Sequence, residues 1–131
     1  MSLPNPMLCW DEVRTAISQW TIGASGAHTK TTSIPGTMFT GVARTAAGKY
    51  TVTFARGVPV GPFLGLDVTV ASAADTEGPR ARWTLGTYTA ETAAAAATVK
   101  YEAWDIDETA TQIEIASGDI VTLTARWLKT K

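Results

Sequence analysis

The stretch Gly41-Val-Ala-Arg-Thr-Ala-Ala-Gly-Lys-Tyr-Thr-Val-Thr-Phe54 decides the fold class. In its second half Tyr50, Val52 and Phe54 point one way and Thr51 and Thr53 the other, the period of two expected of a half-buried strand. The run Thr45-Ala-Ala-Gly48 before it reads as a turn, with glycine where positive φ is tolerated. Residues 38–44 form the partner strand and 49–56 the return, so this is a hairpin.

The same period recurs downstream. Leu64, Leu66, Val68 and Val70 line one face of a strand, with Asp67 and Thr69 opposite. Trp83 and Leu85 begin another, which runs to about Thr89. Residues 98–106 show a mixed pattern, with Val99, Tyr101 and Ala103 on one face and Trp104 and Ile106 on the other. Residues 112–115 are short, and Val121, Leu123, Ala125 and Trp127 alternate cleanly in the last strand. The alanine run 93–97 sits between strand patterns and is too short for a stable helix, so it reads as a connection. Threonine is about one residue in six, and a β-branched polar residue suits a solvated sheet face. Seven or eight short antiparallel strands with regular turn signals predict an all-β, jelly-roll-like sandwich.

Upstream the pattern weakens. Residues 1–7, with Pro4 and Pro6, read as an extended arm. Trp10, Val13, Ile17 and Trp20 are spaced for one face of a helix, yet the ending at 19–22 suits a strand as well. The strand reading is preferred over 16–22, giving an arm at 1–15 and a sandwich domain at 16–131. Residues 23–36, rich in Gly, Ser and Thr, read as a long loop.

At 131 residues the chain can bury a single core without disulfides or metals, and its lone Cys9 can form no internal disulfide. The net charge of −1 argues against a dedicated nucleic-acid surface. The first 60 residues carry a small basic excess and the rest an acidic one. No apolar run is long enough for a membrane helix, and no signal-peptide pattern opens the sequence, so a soluble protein made in a cytoplasm is expected.

Chemistry is poorly supplied. His28 is the only histidine and falls in the predicted loop. Gly23-Ala-Ser25-Gly26-Ala27 lacks the second glycine and the strand-to-helix context of a nucleophile elbow. One Cys and one His cannot make a zinc site without several carboxylates. The run from Asp105 through Asp107 and Glu108 begins like a calcium loop, but Ala110 and Ala116 replace the expected glycine and glutamate. Glu102, Asp105 and Glu114 could serve a glycosidase only at a separation that sequence does not define. No catalytic residue, metal ligand or cofactor site is expected. Of the five tryptophans, alternation assigns Trp83 and Trp127 to the core. Trp10, Trp20 and Trp104 remain as candidate partner-binding residues.

Three segments together resemble small structural proteins of tailed bacteriophages: Ile22-Gly-Ala-Ser-Gly-Ala27, the hairpin 41–54, and Ser117-Gly-Asp-Ile-Val-Thr-Leu-Thr-Ala125. The resemblance covers most of residues 20–128, and the segment around Trp10 and Trp20 departs from it. It implies a non-enzymatic capsid decoration or cement protein on the virion surface. Its partners would be the major capsid protein and copies of itself, with no nucleic acid or membrane involved. The arm would serve as a strap onto a neighbouring subunit. The alternatives are a tail-fibre or receptor-binding domain, with glycans held by exposed tryptophans, and a head–tail connector.

Overall fold

The structure, a computed structural model, describes residues 13–34, 38–57, 62–71, 81–105 and 112–128. They form two four-stranded antiparallel sheets packed as a sandwich. The strands are β1 (Val13–Ile22), β2 (His28–Ile34), β3 (Phe39–Ala46), β4 (Lys49–Phe54), β5 (Phe63–Ala71), β6 (Ala81–Thr89), β7 (Thr98–Asp105) and β8 (Ile120–Leu128). Sheet A has the order β2-β1-β8-β5 and sheet B the order β3-β4-β7-β6.

The central strands make the core, because only they are covered on both edges and on one face. Tyr50, Val52 and Phe54 of β4 meet Val99, Tyr101 and Ala103 of β7, and all six are buried. Opposite them lie Val121, Leu123, Ala125 and Trp127 of β8, with Ala16, Trp20 and Ile22 of β1. The clean alternation of β4 and β8 thus falls at sheet centres, although the mixed pattern at 98–105 does too.

β1 is a central strand whose sequence hides the fact. Its inward positions hold the small residues Ala16 and Ser18, while Ile17 faces out. An inward serine must find a partner, and Ser18 Oγ accepts the Trp20 Nε1–H at 2.7 Å. The strand begins at Val13, paired with Leu128, so residues 13–15 belong to the sheet and not to the arm assigned to 1–15. Residues 1–12 lie outside the described residues.

The loop expected over 23–36 is replaced in part by β2, which pairs with β1 from Ile22↔His28 to Ile17↔Ile34. Its inward positions are polar, so periodicity had no apolar signal to report. Lys30 turns its ammonium onto the Phe39 carbonyl at 2.9 Å, tying this edge strand to the start of β3.

Two further departures lie on the edge strands β5 and β6. The β5–β8 register shifts between Phe63 and Gly65. This turns Phe63 towards the core and leaves Leu64, expected inside, 52% exposed. In β6 Leu85 lies opposite the inward Tyr101 yet stays 47% exposed on this edge strand, and the register shift that follows it brings Tyr88 against the core. Leu85 is therefore not the core partner that its alternation with Trp83 suggested, and the Trp83 side chain lies outside the described set.

The two ends of the sandwich differ in chemistry. At one, Trp127 packs edge-on against Phe54 (centroids 4.9 Å) and donates Nε1–H to the Tyr88 hydroxyl at 3.1 Å. Phe63 stacks on Tyr88 at 4.2 Å. The other end holds Tyr50, Tyr101 and His28. Turns at both levels are held by polar side chains. Arg56 Nη1 donates to the Thr92 carbonyl at 2.6 Å, which secures the connection formed by the alanine run.

These placements separate two leucines that the sequence treats alike. Leu123→Ala should cost about 3 kcal/mol, the usual loss for a buried leucine. Leu64→Ala should change stability by no more than about 0.5 kcal/mol. Urea denaturation midpoints with unchanged slopes would measure both, and equal losses would contradict the bulge at Gly65.

Candidate functional site

The polar end of the core is the most densely bonded cluster of titratable side chains among the described residues. Four strands and one connecting segment build it. Inward parity on β4 and β7 places Tyr50 and Tyr101 side by side, stacked with centroids 5.0 Å apart. The start of β2 brings His28 against them, 4.8 Å from the Tyr50 ring. The segment 112–116, between β7 and β8, supplies Glu114, and β3 supplies Arg44.

The Tyr50 hydroxyl is the junction. It donates to Glu114 Oε1 at 2.6 Å and accepts the Ile115 backbone N–H at 3.3 Å. The other Glu114 oxygen accepts from Arg44 Nε at 2.8 Å, at the solvent-facing rim. A carboxylate that accepts from a phenol and a guanidinium is a charge-assisted acceptor held by two strands.

His28 is held separately. Its Nδ1 lies 2.8 Å from the Gly26 carbonyl, which can only accept, so Nδ1 carries the proton. Nε2 then accepts from the Tyr101 hydroxyl at 2.5 Å. Burial lowers the histidine pKa from its ordinary 6.5, opposed by the Gly26 carbonyl and the Glu114 charge. The ring is therefore neutral at neutral pH. Burial raises the pKa of both phenols, helped at Tyr50 by its bond to Glu114. Both hydroxyls remain protonated donors.

Close approach requires glycine at two positions around the cluster. Gly26 has φ +73°, and a Cβ there would stand 2.0 Å from Glu114 Oε1 and 3.0 Å from the Tyr50 hydroxyl. Gly48, in the β3–β4 turn, has φ +69°, and its Cβ would fall 2.7 Å from the Ile113 carbonyl oxygen. The glycine expected in that hairpin thus serves both the turn and the passage of segment 112–116 beside it.

The candidate residues read from the sequence are not brought together. Trp20 is not a surface residue: it is 2% exposed, because inward parity on β1 buries its ring beside His28. Trp104 is half-buried near the end of β7, at the register of Arg82 and bridged to Gln112. Trp10 lies outside the described residues, as do Asp107 and Glu108 of the calcium-like run. His28 is not an exposed loop residue, since β2 carries it into the core. Among the described residues no group of three or more His, Cys, Asp or Glu side chains could hold a metal ion.

Sequence reasoning missed the Tyr50–Glu114–Arg44 set, although one signal was present. Two tyrosines on inward positions of neighbouring strands each demand a hydrogen-bond partner. No family model, curated protein or solved structure matches this chain.

Two consequences are measurable. Tyr50→Phe should cost about 1–3 kcal/mol, because it strands both the Ile115 amide and one Glu114 oxygen. Thermal or chemical denaturation reads this loss, and a neutral substitution would refute the junction. The second concerns acid. The folded His28 pKa lies below its unfolded value, so above pH 6.5 neither state holds the proton and stability is full. As pH falls through 6.5 the unfolded chain binds a proton that the folded chain refuses, and stability declines towards the folded pKa. A pH 5–8 series of denaturation midpoints should show this decline in the native chain and a weaker one in His28→Gln.

Proposed function

We propose that this chain is a structural protein of a tailed-phage particle. It would coat the head as a homo-oligomeric decoration or cement protein bound to the major capsid protein, without catalytic activity. The observation that carries the reading is how the residues of the phage-like hairpin are used. In Arg44-Thr-Ala-Ala-Gly48-Lys-Tyr50, the arginine holds Glu114, the glycine admits segment 112–116, and the tyrosine ties that segment to the sheet. A motif spent on framework supports a scaffold whose task is to present surfaces.

The cluster's chemistry supports the same reading. Its histidine nitrogens and the Tyr50 hydroxyl are engaged with the protein's own groups, and its phenols are held in their protonated form. A nucleophile or general base needs the opposite, a titrating group near neutral pH. On a shell the same junction repeats many times, so modest affinity at each site suffices for full coverage. Of the three tryptophans considered for partner contact, Trp104 is the one whose described position leaves it partly open to a neighbour.

Copy number tests the proposal. Quantitative densitometry of purified particles should give a count comparable to that of the major capsid protein. A count matching a single ring or a few fibres would overturn decoration in favour of a connector or a receptor-binding domain.

A further inference from the structure

The two outer faces of the sandwich are unlike. On the central strands of sheet B the outward residues include Lys49, Lys100 and Glu102, with Lys49 opposite Glu102 and Lys100 opposite Thr51. On the central strands of sheet A six outward positions carry no charge. They are Ile17, Gln19 and Thr21 of β1, opposite Thr124, Thr122 and Ile120 of β8. Ile17, midway along β1, and Ile120, the first residue of β8, are both 38% exposed, each on a central strand of the sheet. The neutral band widens onto the flanking strands through Thr29 and Thr69. The only described ion pair on this face, Arg126 with Asp67, is internally neutralised.

We propose that the outer face of sheet A is a homodimer interface, occupied by the same face of a second copy of this chain. The inference deepens the homo-oligomeric part of the proposed function and rests on it, but not on a phage origin. Three arguments select the occupant.

The first is charge. A two-fold interface sets a patch against itself, so the patch must be self-complementary. Sheet A meets its own copy without burying an unpaired charge, whereas sheet B would bring lysines on adjacent strands against lysines. The second is side-chain chemistry. Threonine offers a methyl and a hydroxyl on one stiff stem, so it loses little rotamer freedom on contact. Interface cores are depleted of charge in just this way.

The third is size. Four strands about 4.8 Å apart and up to ten residues long at about 3.4 Å per residue span roughly 650 Å² in projection. A stable interface needs about 800 Å² of accessible surface per partner. A corrugated sheet face reaches that area only when it is covered whole, which a second sheet of the same shape does.

Sedimentation of the full chain across concentrations tests the inference. The native protein should be a dimer at about 100 μM, above the micromolar end for interfaces of this size. Thr122→Arg places an unpaired charge at the centre of the face and should weaken the dimer by roughly 30-fold or more. Ile17→Lys, at a position already open to solvent, should do the same, with a melting curve that matches the native chain's at concentrations where both are monomeric. Thr53→Arg, on the outer face of sheet B, should leave the dimer intact. An oligomer that survives both sheet A variants and dissociates with Thr53→Arg overturns this interface while leaving self-association standing. A native chain that is monomeric at that concentration overturns both, and leaves capsid attachment to be judged by copy number.

Discussion

The constraint on which the rest of this structure depends is the Tyr50 hydroxyl. It lies inside a sandwich, where an unpaired polar group costs a large part of a domain's net stability. Its donor goes to Glu114 and its acceptor to the Ile115 amide. Both partners belong to segment 112–116, which has no regular strand to satisfy its own backbone. The phenol continues what one short backbone pairing begins, since Ile113 N–H donates to the Ala103 carbonyl and Gln112 is bridged to Trp104. The consequences spread outward from there. Glu114 must lie over Gly26, which can carry no side chain, and Arg44 must reach across from β3 to neutralise it.

This explains which parts of the fold were legible in the sequence. The strands β4 and β8 sit at sheet centres, where burial on one face and water on the other imposes alternation, and their inward residues were readable one by one. Central β7 has apolar residues on both faces, and its inward face was settled only by the fold. β1 is equally central, but Ala16 and Ser18 mute its inward signal and Ile17 supplies a false one. β2 presents His28 and Lys30 inward, so no apolar pattern exists to detect. At β5 the failure is geometric and local: a bulge turns Phe63 inward in place of Leu64, while Leu66, Val68 and Val70 keep the expected face, and nothing but Gly65 announces it. At β6 Leu85 keeps its register opposite Tyr101 but lies open on an edge strand. The polar cluster was half legible. Inward tyrosines at 50 and 101 called for partners, but Glu114 and His28 lie 64 and 73 residues away along the chain from the groups they bond.

The placement of the tryptophans follows from the same logic. A tryptophan's spacing does not reveal whether it faces a partner or the core; its strand parity does. Trp20 shares parity with Ala16, Ser18 and Ile22 and is buried with them, while Trp104 falls on the opposite parity from Ala103. Among the described residues the two outer sheet faces differ, one charged and one without unpaired charge. That asymmetry was present in the strand sequences, yet it acquired meaning only when register set Thr122 beside Gln19 and Thr69.

The two ends of the core should also respond differently to change. At the aromatic end, Phe54, Phe63, Tyr88 and Trp127 contribute mainly area and ring contacts, and losing one leaves the others a relaxed but still apolar neighbourhood. At the polar end, removing any member exposes the next: without Tyr50 the Glu114 charge loses a donor, and without Glu114 the Arg44 guanidinium and the phenol lose their acceptor. Substitutions there are coupled through shared hydrogen bonds, and their costs do not add. A sandwich with one forgiving end and one interlocked end keeps segment 112–116 in a single conformation while tolerating repacking elsewhere.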